Sequence, residues 1–326
     1  MMHNASSDVN VTDQNLEWKS FASLPIYRII AGLLIVFVVV GSLGNILVAA
    51  TIVKTKMFRK PVYALLLQVS ILHALFQALV VPINIYSFLQ DFWTPSIALC
   101  TMIVYMTDIL LCTSRLLLIL VSVYRCVHVC YNNLYMKIKH PMVVAAFCLF
   151  VWAEIILMIY FLGRKVSFSQ EYAICVFEGA HLQTFLSIFI YIPMSIIPTA
   201  MYIKIAVFVR NAHNRVLPQG HAGSENLRKS RALTRMSALI FLNHLVTGLL
   251  PMIFVMVNTD NPTMRKTLVA IAHFLFRLTS TFDFIIYLFS TKAVRSRIAN
   301  LLTSLMHLDI PEHIQLQQHE ENRNRF

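Results

Sequence analysis

His73, Arg115, Asp283 and the pair Asp108 and Arg277 lie inside stretches otherwise built of Leu, Ile, Val and Phe. A charge at the centre of a bilayer costs about 3 kcal/mol on insertion scales, so such residues usually turn to a bundle interior and find partners there. Asp283 is able to accept a charge-assisted bond from His73 or Arg115. Histidine titrates near neutrality, so a His73–Asp283 contact reads either as a pH-sensitive switch or as a static polar contact between spans. Asp108 and Arg277 either pair with each other or serve a ligand, Arg277 taking a carboxylate or Asp108 an amine. Arg115, beside Ser114 in mid-helix, joins the polar core.

The elements that position these groups are seven apolar stretches near 27–53, 61–89, 97–124, 141–162, 183–209, 236–257 and 267–289. Each reaches the roughly 20 residues a transmembrane helix needs. Of the 326 residues 58% are hydrophobic and 13% charged, and the mean hydropathy is +0.68. A globular chain carries about 25% charged residues, so a soluble domain is excluded. The expected fold is an all-α membrane protein, a seven-transmembrane helix bundle with a short cytoplasmic eighth helix. Residues 1–25 form an extracellular tail, 26–290 the bundle, 291–305 an amphipathic eighth helix and 306–326 a cytoplasmic tail.

Orientation follows from Lys and Arg. The segments 54–60, 125–140 and 210–235 and the tail after Tyr287 hold eighteen, against six on the other side. Those segments and the C-terminus therefore face the cytoplasm and the N-terminus lies outside. Asn4 and Asn10 both begin glycosylation sequons in the predicted outer tail. No cleavable signal peptide precedes the first span, which serves as its own insertion signal. The net charge of +12 reads as cytoplasmic loops meeting anionic membrane lipids and cytosolic partners, with no role for nucleic acid. Cys100 and Cys175 alone fall near the outer face, where disulfides persist. A bond between them would tie the top of the third span to the loop before the fifth; the alternative is two free thiols.

Taken together these features resemble the rhodopsin-like, class A G-protein-coupled receptors, over roughly residues 25–305. Gly41-Ser42-Leu43-Gly44-Asn45 is similar to the family's first-helix motif. The Cys100 to Arg125 spacing matches that between the family's disulfide cysteine and the arginine of its DRY motif. Trp152, Pro251 and Asp283-Phe284-Ile285-Ile286-Tyr287 fall where the fourth-helix Trp, the sixth-helix kink proline and NPxxY are expected. The basic segment with Lys292, Arg295 and Arg297 resembles the family's eighth helix. The resemblance implies a receptor with an extracellular ligand and a heterotrimeric G protein as partners, and no cofactor.

Departures from the family pattern are as telling. Tyr124-Arg125-Cys126 stands where DRY would be, so the acid beside Arg125 is missing. The sixth-helix position that sometimes pairs with that arginine falls at Arg231. The resting state is therefore expected to be loosely locked, with raised ligand-free signalling. Leu249 replaces the toggle tryptophan, and Phe284 replaces the NPxxY proline, predicting a straighter seventh helix. Pro193 lies nine residues before Tyr202, one more than in the family. The family's sodium pocket corresponds to Asn45, His73, Ser114 and Asp283. The carboxylate has moved to the seventh helix with a histidine opposite, so no sodium site of that kind is expected. By the same resemblance, Tyr124, Arg125, Cys126, Tyr202, Asp283 and Tyr287 form the activation set.

The ligand pocket is expected to include Thr107, Asp108, Phe177, His273 and Arg277, with Tyr105, Glu178, Tyr191 and Phe254 nearby. Thr107 occupies the place of the aminergic receptors' amine-binding Asp, and Arg277 that of the opsins' retinal-linking Lys. An arginine forms no Schiff base there, so an opsin is disfavoured. Glu154 is given no role. The basic loop 210–235 is expected to meet the G protein, with Ser224, Ser230 and Thr234 as phosphorylation candidates.

No HExxH, GxSxG, P-loop or intramembrane aspartate pair is present, so an enzyme is not expected. A transporter or channel is the rival class, but neither internal repeats nor paired broken helices are visible. A receptor-shaped scavenger or dimer partner that no longer couples is the third reading.

Overall fold

The computed structural model describes residues 25–89, 95–138, 140, 142, 145–153, 165–169, 174–177, 192–216, 239, 242–243, 245–257, 261–290 and 292–305. Helix α1 spans Pro25–Lys54, α2 Pro61–Leu89 and α3 Ile97–Cys130. Helix α4 is described over 145–153 and α5 over Ile192–Val216. Helix α6 passes from a π turn, Leu245–Leu249, into Leu250–Met256. Helix α7 is Pro262–Ser290 and α8 is Lys292–Leu305. Among the described residues, α1, α2, α3 and Thr263–Leu288 within α7 are long and apolar enough to cross a membrane.

Burial is inverted relative to a water-soluble bundle. Ile29, Leu33, Val36, Leu43 and Ile46 of α1 are exposed, a face suited to lipid. Asn45, His73, Gln77, Ser114, Arg115, Asn243, Thr247 and Asp283 are buried. Polar groups at that depth turn inward, where they sit among a larger set of buried apolar side chains such as Leu65, Val69, Phe76 and Leu117.

Two prolines shape the helices that carry this interior. Pro82 and Pro251 lack an N–H and clash with the preceding turn. In each case the turn before has widened into a π segment, Phe76–Val80 in α2 and Leu245–Leu249 in α6. Such bulges re-aim side chains and gather at functional sites, and here they present Gln77 and Thr247 inward. Helix α7, with Phe284 where a proline was the family's choice, runs uninterrupted from Pro262 to Ser290.

The α1 glycines are explained by α7. A Cβ on Gly44 would lie 2.4 Å from the Phe284 ring, and one on Gly41 would lie 2.6 Å from Thr281 Oγ1. Losing the proline and packing a phenyl ring in its place thus depends on a bare backbone opposite. Gly44→Ala is expected to cost about 1–3 kcal/mol through overpacking, read by thermal melting of the detergent-purified chain. Adding Phe284→Ala is expected to return most of that loss. A Gly44→Ala protein melting with wild type would contradict the close packing.

Residues between the fourth and fifth spans add one feature to the expected all-α fold. Val166–Ser169 (β1) and Ile174–Phe177 (β2) form an antiparallel hairpin, with Phe168 opposite Cys175. Val166 packs on Cys100 and Val104 of α3, and the Cys100–Cys175 disulfide holds the hairpin there with Cα atoms 5.2 Å apart. At the other end α3 continues to Cys130, beyond its expected limit of 124, so Cys126 and Cys130 are helical. Helix α8 is tied back by Arg297, whose Nη1 donates to the Thr55 carbonyl at 3.2 Å.

Candidate functional site

The polar interior has its centre at Asp283, which is fully buried. Its Oδ1 accepts a hydrogen bond from Asn243 Nδ2 at 2.8 Å, and Asn243 also donates to the Thr279 carbonyl at 3.3 Å. Oδ2 lies 3.9 Å from His73 Nδ1. That separation is an ion-pair distance for a protonated imidazole and too long for a hydrogen bond. The two residues expected to share the core are thus brought together across α2 and α7. Their strongest link, though, is to Asn243 of α6, which the sequence did not single out.

Arg115 enters the same region from α3. Its guanidinium lies over the Phe276 ring, 4.7 Å from the centroid, a cation–π geometry that helps hold a desolvated charge. It also passes beside Gly248 in the π turn of α6, where a Cβ would stand 3.7 Å from Nη2. Arg115 therefore reaches both the π turn of α6 and the Phe276 ring of α7.

Asn45 and Ser114 are placed differently from expectation. Asn45 Nδ2 donates to Gly41 O at 2.9 Å and to Ser280 O at 3.0 Å, fastening α1 to α7. Ser114 Oγ donates back to Leu111 O at 2.9 Å. Serine in a helix readily bonds its own preceding turn, and the sequence position alone did not reveal this. One turn nearer the ligand end, Gln77 Nε2 donates to Arg277 O at 3.2 Å, to Ser280 Oγ and to Thr281 Oγ1 at 3.0 Å. Gln77 is a second residue that sequence reasoning missed. Its only signal was an amide in an apolar run.

These groups do not fit the sodium ion of the family's pocket. Asp283 is committed to Asn243, two cationic-type side chains, His73 and Arg115, flank it, and the Ser114 hydroxyl donates to backbone. A hard cation needs several oxygen ligands and is opposed by such neighbours.

At the inner end of α3, Tyr124 is buried and meets the Tyr135 ring edge-on, 5.6 Å between centroids. Arg125 is half-buried and close enough to Tyr63, His128 and Tyr287 to act on them electrostatically. Cys126 packs with Tyr202, Ile205 and Val209 of α5. Tyr287 is buried within electrostatic reach of Tyr202 and Asp283. Of the residues named from the sequence, Arg125, Tyr202 and Tyr287 approach one another at the end of the bundle away from the hairpin, whereas Asp283 lies in the polar interior. Arg231 lies outside the described residues.

The pattern of the 7 transmembrane receptor (rhodopsin family) matches residues 44–287. The chain belongs to that family. It is a seven-helix, multi-pass membrane receptor and not an enzyme. No curated protein matches it.

Toward the receptor's hairpin end, Thr107 Oγ1 donates to Ile103 O at 2.7 Å, and Asp108 beside it is half-buried. Arg277 Nη1 donates to the His273 carbonyl at 2.8 Å, and its guanidinium lies 5.9 Å from the centroid of Phe88. Among the described residues Arg277 thus contacts its own helix and an α2 ring, and the expected Asp108–Arg277 pair is not formed. Phe177 ends β2, paired with Val166. Glu154, Glu178, Tyr191, Asn4 and Asn10, the loop 217–238 and the tail 306–326 lie outside the described residues.

Proposed function

We propose that this receptor passes an extracellular small-molecule or peptide signal to a heterotrimeric G protein at the plasma membrane, with its N-terminus outside and its C-terminus in the cytoplasm. The supporting observation is the gathering of Arg125, Tyr202 and Tyr287 at the end of the bundle opposite the Cys100–Cys175 hairpin. The eighteen Lys and Arg residues of the inner segments support the same orientation. Asp108, His273, Thr107 and Arg277 lie toward the hairpin and form the ligand side, together with Phe177 at the hairpin's edge.

Raised ligand-free signalling is part of this reading. Arg125 is flanked in sequence by Tyr124 and Cys126, so the adjacent acid of the family's motif is replaced by a tyrosine. Restoring the acid with Tyr124→Asp adds a charge-assisted bond of roughly 1.5 kcal/mol. That shifts the balance between resting and active states about tenfold, at 1.4 kcal/mol per decade. Ligand-free nucleotide exchange on purified G protein is expected to fall by about that factor. Tyr124→Phe, which keeps the ring against Tyr135, controls for packing. Equal basal exchange by wild type, Tyr124→Asp and empty membranes overturns raised basal activity and favours a non-coupling scavenger or dimer partner.

A further inference from the structure

Arg277 is 7% exposed, yet no counter-ion for its charge lies among the described residues. One of its five N–H donors is used, on the His273 carbonyl, while Nε has no hydrogen-bond partner. A π face, Phe88, is the other contact of the guanidinium. No carboxylate among the described residues lies within ion-pair distance. Asp283, the nearest acid along α7, is turned to Asn243 and His73. An arginine cannot shed its proton to escape this situation. A buried unpaired ion is costly, and proteins retain one where something else supplies the opposite charge.

Arg277 sits about two turns nearer the hairpin than Asp283, with its Nη1 bonded back to the His273 carbonyl and the Phe88 ring of α2 beside it. We infer that Arg277 is the anion-receiving residue of the ligand site and that its ligand is an organic carboxylate with an apolar body. The guanidinium fork offers Nε and an Nη in the parallel geometry a carboxylate accepts, and Phe88 supplies apolar contact beside it. Asp108, half-buried on α3, sets the other side of the choice left open by the sequence. The ligand is held by its negative end, and an amine at Asp108 is not the anchor.

This inference rests on the receptor reading above, so binding is measured apart from signalling. The purified full-length chain in detergent is melted with phenylacetate, with octanoate, with the neutral amides of both acids, and with phenyl phosphate. A compound that binds the folded state raises the melting temperature with its concentration. Both acids are expected to stabilise wild type and both amides to do nothing. Arg277→Gln is expected to weaken the acids by about 30-fold or more, the equivalent of about 2 kcal/mol at 1.4 kcal/mol per decade. Without ligand, Arg277→Gln is expected to melt at or above wild type, because a charge without a counter-ion has been removed. Arg277→Lys keeps the charge without the fork and is expected to lie between the two.

The proposal is overturned by no stabilisation by either acid, by equal stabilisation by acids and amides, or by acid binding by Arg277→Gln at wild-type strength. Tighter binding of phenyl phosphate than of either acid assigns the site to phosphate and overturns the carboxylate. Acid binding that depends on Arg277, with no G-protein activation in any arm, leaves this inference standing and removes the coupling reading.

Discussion

Asp283→Ala is expected to destabilise the receptor by about 1–3 kcal/mol, the cost of leaving a buried hydrogen-bond donor unsatisfied. The substitution takes the acceptor from Asn243 Nδ2, held at 2.8 Å, and leaves His73 facing an empty space. Asn243 is buried, so its amide does not recover a bond from water. Asp283→Asn is expected to cost less, because one oxygen can still accept from Asn243. Adding Asn243→Ala to Asp283→Ala is expected to cost little more, since residues in one network are not additive. Thermal melting in detergent of wild type, these three variants and Asn243→Ala alone measures this. Full additivity, or an Asp283→Ala protein as stable as wild type, would contradict a shared α2–α6–α7 core.

Cys100→Ala is expected to cost about 2–4 kcal/mol, the usual range for a native disulfide. The bond closes a loop with a sequence separation of 75, so it removes a large set of open conformations. It also fixes β2, and through β1 the packing of Val166 on α3. Cys175→Ala is expected to have the same effect, and the double substitution no more than either alone. The measurement is melting of each variant with and without reductant. Wild type is expected to fall to the variants' level on reduction, and a reductant-insensitive wild type would contradict the structural role of the bond.

Charge in an apolar stretch is the strongest signal a membrane sequence carries, which is why His73, Arg115, Arg277 and Asp283 were legible. Their energetic cost in hydrocarbon forces them inward, so their depth alone nearly assigns their environment. Asn243 and Gln77 were not legible because a neutral amide costs much less and fits an apolar run without comment. Gly41 and Gly44 were visible as a motif, but only the packing gives the reason, close approach of Thr281 and Phe284. Pro82 and Pro251 announce a bend, whereas the widening of the turn before each depends on how neighbouring helices satisfy the freed carbonyls. Asn45 and Ser114 were expected in one pocket with His73 and Asp283. They bond to backbone instead, because short polar side chains find a nearby carbonyl before a distant carboxylate. Asp108 and Arg277 show the limit of charge matching: two opposite charges in the same half of a bundle need not meet.

The central claim is that this receptor still couples despite its altered inner motif, and Arg125 is where that claim is most exposed. Nucleotide exchange is measured without ligand on representatives of each G-protein class, comparing wild type with Arg125→Ala at matched surface amounts. Wild type is expected to accelerate exchange on at least one class, and Arg125→Ala is expected to lose that acceleration while keeping its stability within about 1 kcal/mol of wild type, in the range usual for single substitutions. Exchange at the level of empty membranes for wild type on every class, or undiminished exchange by Arg125→Ala, would contradict the account.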